Sequence, residues 1–321
     1  MQYTNKDDVP LSLAVWLAHS DYDFIPDEKS ISATSLLKPV RQVVLERSIS
    51  SSNKQKDILD SLAAVYGSSL HAAIENAWTS DKLPQTLASL GMTQKVIDRV
   101  KVNPIEPEEG DINVYVEKRA ERSISGYKIS GKFDLVINGH LYDNKSTSVW
   151  TYIYKSRQDD YIKQCSIYKW LNPDIITDDT FSINYIFTDW SKSDAVIKAK
   201  NGYPQKRLIE ENFPFMSQVE TENFIQAKLA DIDKYIGFTT QTDLPECPES
   251  ELWCSDTVYK YYANPKNRTR ATKVFDTAAE ANSYMNQKGK GEVVRAIGKP
   301  RRCLYCDCYD ICLQRRKYYS D

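Results

Sequence analysis

The sequence predicts an α/β fold, on two periodicities and one turn. Residues 220–236 repeat Ile225, Leu229, Ile232 and Ile236 at helical spacing and stop at Gly237, a helix with its C-terminal signal. From Asp111 the texture changes to strands: INVYVEK alternates, and YKISGKFDLVI and HLYDNKS flank Asn138-Gly139. That dipeptide is the preferred loop of a two-residue hairpin, because both central residues must accept positive φ. Together the three segments read as an antiparallel meander.

The other elements follow in chain order. Residues 32–47 suggest a capped helix, or a helix pair broken at Pro39. Residues 55–78 read as two helical pieces meeting at Gly67. After the meander a helix is predicted across 157–171, then a strand over FSINYIFTDW (181–190). The Pro-, Cys- and Ser-rich stretch 239–257 leads into a C-terminal module.

Composition narrows the function classes. At 321 residues the chain can bury a full core, and 41% hydrophobic with 27% charged residues is ordinary for a globular protein. Net charge is −2, so no global positive field advertises nucleic acid. Charge is nevertheless uneven: Lys288–Asp321 carries nine Lys/Arg against four Asp/Glu, and 258–273 adds five basic residues interleaved with Tyr259, Tyr261 and Tyr262. Basic and aromatic residues together suit phosphate contact plus base stacking. LSLAVWLA (11–18) is far too short to span a bilayer and the N-terminus has no signal-peptide pattern, so a cytoplasmic protein without membrane contact is expected. Seven cysteines, none before Cys165 and four within ten residues near the C-terminus, point to a metal centre rather than a disulfide framework.

The hairpin carries the chemistry. With Asn138-Gly139 as the turn, Ile137 pairs with His140, Val136 with Leu141, Leu135 with Tyr142, and Asp134 faces Asp143. Directly opposed like charges are destabilising. They cease to be so when a hard divalent cation, Mg²⁺ or Mn²⁺, sits between the carboxylates. Lys145, two residues beyond Asp143, returns to the same face. It can orient a water beside the metal and neutralise charge on a pentacovalent phosphorus. Loss of either acid is expected to abolish cleavage while the melting temperature of the metal-free protein holds or rises slightly.

Further motifs fall in a familiar order. Gly-x-x-x-His (Gly67 to His71), Gly-x-x-Asp (Gly131 to Asp134), Asp-x-Lys (Asp143 to Lys145) and Gln-x-x-x-Tyr (Gln164 to Tyr168) resemble the RecB-type branch of the PD-(D/E)xK nucleases, from about residue 32 to the C-terminus. The resemblance implies a restriction-endonuclease-like core, a mixed twisted sheet flanked by helices, over 1–238, and a basic, cysteine-containing DNA-gripping module over 239–321. It implies His71, Asp134 and Asp143 as metal ligands with the Asn144 carbonyl as a fourth, Lys145 as the catalytic lysine, and Gln164 and Tyr168 holding the DNA strand. Glu117, on the preceding strand, stays outside this set. The implied activity is a Mg²⁺- or Mn²⁺-dependent deoxyribonuclease, an exonuclease on DNA ends or single strands working with a helicase or recombination partner. The alternatives are a structure-specific endonuclease and a non-catalytic DNA-end-binding scaffold. The layout is similar to that of phage-encoded proteins of this type, consistent with a viral origin and a host-cell cytoplasm.

The ending C-x2-C-x5-C (Cys303, Cys306, Cys312) is similar to RecB-like nucleases with a [4Fe–4S] cluster, whose remaining cysteine lies before the histidine motif. This chain has none there. Cys247 is the expected fourth ligand, with Cys308 as its substitute and Cys254 less well placed; four thiolates also suit Zn²⁺.

Overall fold

Asn138 and Gly139 both adopt positive φ, 49° and 90°. A side chain at 139 would also collide with Thr177, 2.1 Å from a notional Cβ. The hairpin forms in the expected register, Leu135 opposite Tyr142, Val136 opposite Leu141 and Ile137 opposite His140. This computed structural model describes residues 2–19, 29–48, 55–254 and 256–319.

The chain begins with β1 (Gln2–Thr4), α1 (Leu11–Ala18), β2 (Ser30–Ser32), α2 (Ala33–Leu36), α3 (Val40–Ser48) and β3 (Gln55–Asp57). Next come α4 (Leu62–Thr79), α5 (Leu83–Ser89), α6 (Gln94–Ile97), β4 (Val100–Val102), β5 (Ile112–Val116), β6 (Arg119–Ile124) and β7 (Tyr127–Lys132). The hairpin strands are β8 (Leu135–Ile137) and β9 (His140–Thr147), followed by α7 (Val149–Ile153), α8 (Gln158–Leu171), β10 (Thr180–Phe187) and α9 (Lys192–Ile197). The last elements are β11 (Leu208–Pro214), α10 (Gln218–Tyr235), β12 (Val258–Tyr262), β13 (Lys273–Phe275), α11 (Ala278–Lys288) and β14 (Glu292–Ala296).

Two compact units result. The first comprises 1–38 and 49–234, the second 39–48 and 235–321. Helix α3, which the sequence reading placed with the N-terminal helices, thus clusters with the C-terminal segment. Its residues Arg41 to Leu45 are buried, the inserted helix filling the middle of the smaller unit.

In the first unit a six-stranded mixed sheet runs β11-β10-β9-β8-β5-β4, with β9–β10 and β4–β5 parallel and the other pairs antiparallel. The meander is longer than this sheet. Beyond Val116 opposite Leu135 the same ladder resumes at Arg119 opposite Lys132, where β6 and β7 join β2 in a second, three-stranded sheet. Between them Glu117 takes positive φ (48°), and its N–H donates to the Asp134 carbonyl at 2.9 Å. The chain therefore bends where Glu117 and Asp134 face each other. Phe133, Val136, Leu141, Phe181, Ile183 and Phe187 are fully buried around this bend and along the central strands.

Helix α8 packs close to β7 because residue 131 is glycine: a Cβ there would lie 2.7 Å from Leu171 Cδ1 and 3.0 Å from the Tyr168 ring. Helix α4 runs unbroken from Leu62 to Thr79, not as two pieces meeting at Gly67. Gly67 serves close approach instead, since a Cβ would sit 3.4 Å from Ser146 Oγ on β9. No helix among the described residues is long and apolar enough to cross a membrane.

In the second unit β13-β12-β14 form an antiparallel sheet with α11 packed against it. Tyr261 is 2% exposed and meets Tyr284 of α11 edge-on at 5.2 Å, and Tyr262 is also buried. These tyrosines form the small core rather than a base-stacking surface.

Candidate active site

The bend gathers the site. His71 sits on the half-buried stripe of α4 formed with Val65, Leu70, Ile74 and Trp78. Its Nδ1 lies 3.2 Å from Asp134 Oδ1 and 3.6 Å from Glu117 Oε1. Each of the three offers a ligand atom, all within 4.8 Å of one another. The contacts with Asp134 and Glu117 outweigh burial and raise the imidazole pKa to about 10. A carboxylate pair gripping a histidinium is what such a donor set does without a metal; a cation would take the proton's place. Glu117, set aside on the sequence alone, is thus part of the group. Its signal was present in the register: Asp134 lies between two strands, opposite Glu117 on one side as well as Asp143 on the other.

Asp134 Oδ2 accepts from the Asn144 N–H at 2.7 Å, which ties the carboxylate to β9. Asn144 itself is buried, and its side-chain oxygen accepts from Asn184 at 3.1 Å. Asp143 is only 1% exposed, and its Oδ2 lies 2.6 Å from Lys145 Nζ. That contact lacks hydrogen-bond alignment, so a buried carboxylate oxygen is held by charge alone. Burial pushes Asp143 up to about 6, with Asp134 adding to the shift and Lys145 opposing it. A donor in that state accommodates a further cation readily.

Lys145 points the same way as Asp143, as the strand period requires. Burial disfavours its charge, but Asp143 and Asp134 prevail and hold its pKa above the usual lysine value. Lys145 Nζ donates to Gln164 Oε1 at 3.0 Å, and Gln164 Nε2 donates to Tyr168 Oη at 2.8 Å. Both α8 residues are buried, 8% and 5% exposed. Their polar atoms are turned to the lysine and to each other, so they orient Lys145. The one-turn spacing of Gln-x-x-x-Tyr makes the relay, because residues four apart share a helix face.

In the second unit Cys247, Cys303, Cys306, Cys308 and Cys312 line one cavity of about 30 Å³ with Arg41 and Gln314. Cys254 is exposed and lies outside that lining. Gln314 grips the Cys247 backbone twice, accepting from its N–H at 2.8 Å and donating to its carbonyl at 3.1 Å. Arg41 Nε donates to Cys312 Sγ at 3.4 Å. The buried Cys308 thiol donates to the Gln42 carbonyl at 3.7 Å and also meets the Cys306 sulfur. Burial, reinforced by neighbouring thiols, raises Cys247 to about 12 and Cys303 to about 11. All seven cysteines are free.

The first unit therefore presents a carboxylate–histidine–lysine site of the kind that binds divalent cations. Comparison with solved structures finds the protein SSO0001 at 17% identity, covering 71% of this chain and 90% of that one with a TM-score of 0.40. It also finds the alkaline exonuclease LHK-Exo of Laribacter hongkongensis at 11% identity, covering 65% and 91% with a TM-score of 0.35. A phage-related exonuclease of Haemophilus somnus 129PT follows at 14% identity, covering 64% and 93% with a TM-score of 0.29. No protein-family model and no curated protein matches the chain. At such scores the functional reading stands on the side chains.

Proposed function

We propose that this protein is a divalent-metal-dependent nuclease that hydrolyses DNA phosphodiester bonds, acting from ends. The observation that carries it is the pairing of the His71–Glu117–Asp134 group with the buried Asp143–Lys145 pair at one bend of the meander. His71, Asp134, Asp143 and Glu117 would hold Mg²⁺ or Mn²⁺. Bound there, the ion would polarise the phosphoryl oxygens and acidify a water. Lys145 keeps its proton and offers positive charge where negative charge develops on phosphorus. Gln164 and Tyr168 fix the ammonium in place, so this charge need not reorganise during reaction. The intact acid–acid–lysine set argues against a non-catalytic scaffold.

Cys247, Cys303, Cys306 and Cys312 are the residues that would hold a [4Fe–4S] cluster, with Cys308 outside the set. A single tetrahedral Zn²⁺ at ~2.3 Å from each sulfur would bring the thiols within roughly 3.8 Å of one another. Iron, sulfide and zinc analysis tells the two apart. The cluster would act as a structural pin, leaving Lys260, Lys266 and Arg270 of the adjoining strands and loop for DNA phosphates.

The test is cleavage of end-labelled linear and closed circular DNA with Mg²⁺, Mn²⁺ or EDTA, on wild type and Asp143→Ala together. Metal-dependent shortening of linear DNA by wild type alone is expected. Full activity in EDTA or in the variant overturns the reading, and rapid nicking of the circle replaces exonuclease with endonuclease.

A further inference from the structure

Beyond the break at Glu117 and Asp134 the ladder resumes, and there it sets Arg119 directly opposite Lys132. Two cations in directly opposed positions repel, as two carboxylates do. The other cations of this hairpin are balanced within the protein. Lys128 lies 3.5 Å from Glu121, and Arg122 lies 3.8 Å from Glu222 while donating to the Trp170 carbonyl at 3.1 Å. The opposed pair is only half balanced in this way. Lys132 reaches back to Glu117, Nζ to Oε2 at 2.5 Å, with its side chain 45% exposed. Arg119 is exposed and has no side-chain hydrogen bond or ion pair among the described residues. The pair thus stands open to solvent while joined, through Glu117, to the metal-binding group.

We propose that Arg119 and Lys132 clamp a backbone phosphate of the bound nucleic-acid strand, adjacent to the phosphate that is cut. The proposal rests on the nuclease reading and adds a subsite to it. An anion between the two cations removes the repulsion that the register creates. Arginine's planar fork suits two phosphate oxygens at once, and the lysine supplies a point charge from the other side. The Arg119–Lys132 rung lies two residues beyond the Glu117–Asp134 rung, across the bend, and Lys132 joins the two through Glu117. A carboxylate peptide would also satisfy the charge, but would have no reason to lie beside a carboxylate–lysine site.

The experiment measures binding of a fluorescein-labelled single-stranded oligonucleotide in EDTA by anisotropy, over a series of salt concentrations. Wild type, Arg119→Ala, Lys132→Ala, the double variant and Lys132→Arg are compared, with polyglutamate as competitor and melting temperature as the check on folding. The double variant is expected to lose roughly tenfold in affinity and about 0.7 from the slope of log affinity against log salt, one phosphate's worth. Lys132→Arg should retain binding, and in cleavage the loss should fall on KM more than on kcat. The melting temperature of Arg119→Ala should hold or rise as the repulsion goes, while the variants with alanine at 132 should melt somewhat lower because Glu117 loses its partner. Unchanged affinity and slope in a folded double variant, with wild type binding and cleaving, overturn the clamp alone. Competition by polyglutamate equal to that of unlabelled oligonucleotide also overturns it. A wild type that neither binds nor cleaves DNA overturns both the clamp and the nuclease reading.

Discussion

Asp143→Ala tests the site through stability rather than activity. The sequence suggested that removing one of two facing carboxylates would leave the metal-free protein as stable as before, or more so. The structure reverses the sign, because Asp143 is the buried partner of Lys145 at 2.6 Å. Removing one member of a buried ion pair strands the other and costs about 3–5 kcal/mol. Lys145 keeps Gln164 at 3.0 Å and its side chain is 19% exposed, so the lower end, about 3 kcal/mol, applies. For a unit of this size that corresponds to a drop of roughly 6–12 °C in Tm. Thermal melts in EDTA should show this drop for Asp143→Ala and recovery of most of it in Asp143→Leu/Lys145→Met, which removes both charges. Cleavage is lost in each, so activity cannot make the distinction. A single variant that melts at or above wild type would mean that Asp143–Asp134 repulsion dominates, and the argument from the buried pair would be refuted.

Other outcomes follow from the same geometry. Lys145→Ala should lower turnover by orders of magnitude, about 10²-fold or more, with little loss of DNA affinity in binding assays, since its charge acts mainly in the transition state. Gln164→Leu should give a smaller fall of the same kind, because it frees the ammonium without removing it; equal loss of affinity and turnover would make the lysine a phosphate contact only. Gly131→Ala should destabilise by about 1–3 kcal/mol in denaturant melts, as the new methyl meets Leu171 and Tyr168 and forces α8 outward. Iron and sulfide analysis of anaerobically purified protein should find a cluster in wild type and Cys308→Ser but not in Cys247→Ser. Loss only in Cys308→Ser would exchange their roles, and no metal in wild type would end the cysteine hypothesis.

The hairpin was the most legible part of the chain. Asn138-Gly139 dictates its own turn, the turn dictates the register, and the register places Asp134, Asp143 and Lys145. Glu117 was harder to read because it sits in a positive-φ break between strands, where alternation no longer reports which way a side chain faces. Gly67 misled for a related reason. A glycine that permits close packing and one that ends a helix look alike until the neighbour, Ser146, is known. Gln164 and Tyr168 were found by their spacing, yet their burial beside Lys145 depends on α8 lying against a glycine in a distant strand. The second unit hid most. That α3 belongs with the cysteines depends on contacts made across 266 and 271 residues, and nothing in VRQVVLERS records its partner.

Placing α3 in the second unit has a consequence for how the protein is made. Val43, Val44 and Leu45 are each 3% exposed or less in the finished molecule, and Leu45 lines the cysteine cavity with Cys308 and Gln314, which are synthesised long after it. At ~5–20 residues per second a ribosome needs roughly 13–55 s to travel from α3 to those partners. Through that interval the first unit can fold around a helix that must be kept out of it. A C-terminal fragment starting at residue 239 would lack Arg41 and Gln42 altogether, and with them the contacts to Cys312 and Cys308. The cysteine centre can therefore close only after residues 41–42 and 308–312 have both left the ribosome, and loading it with metal would mark that point.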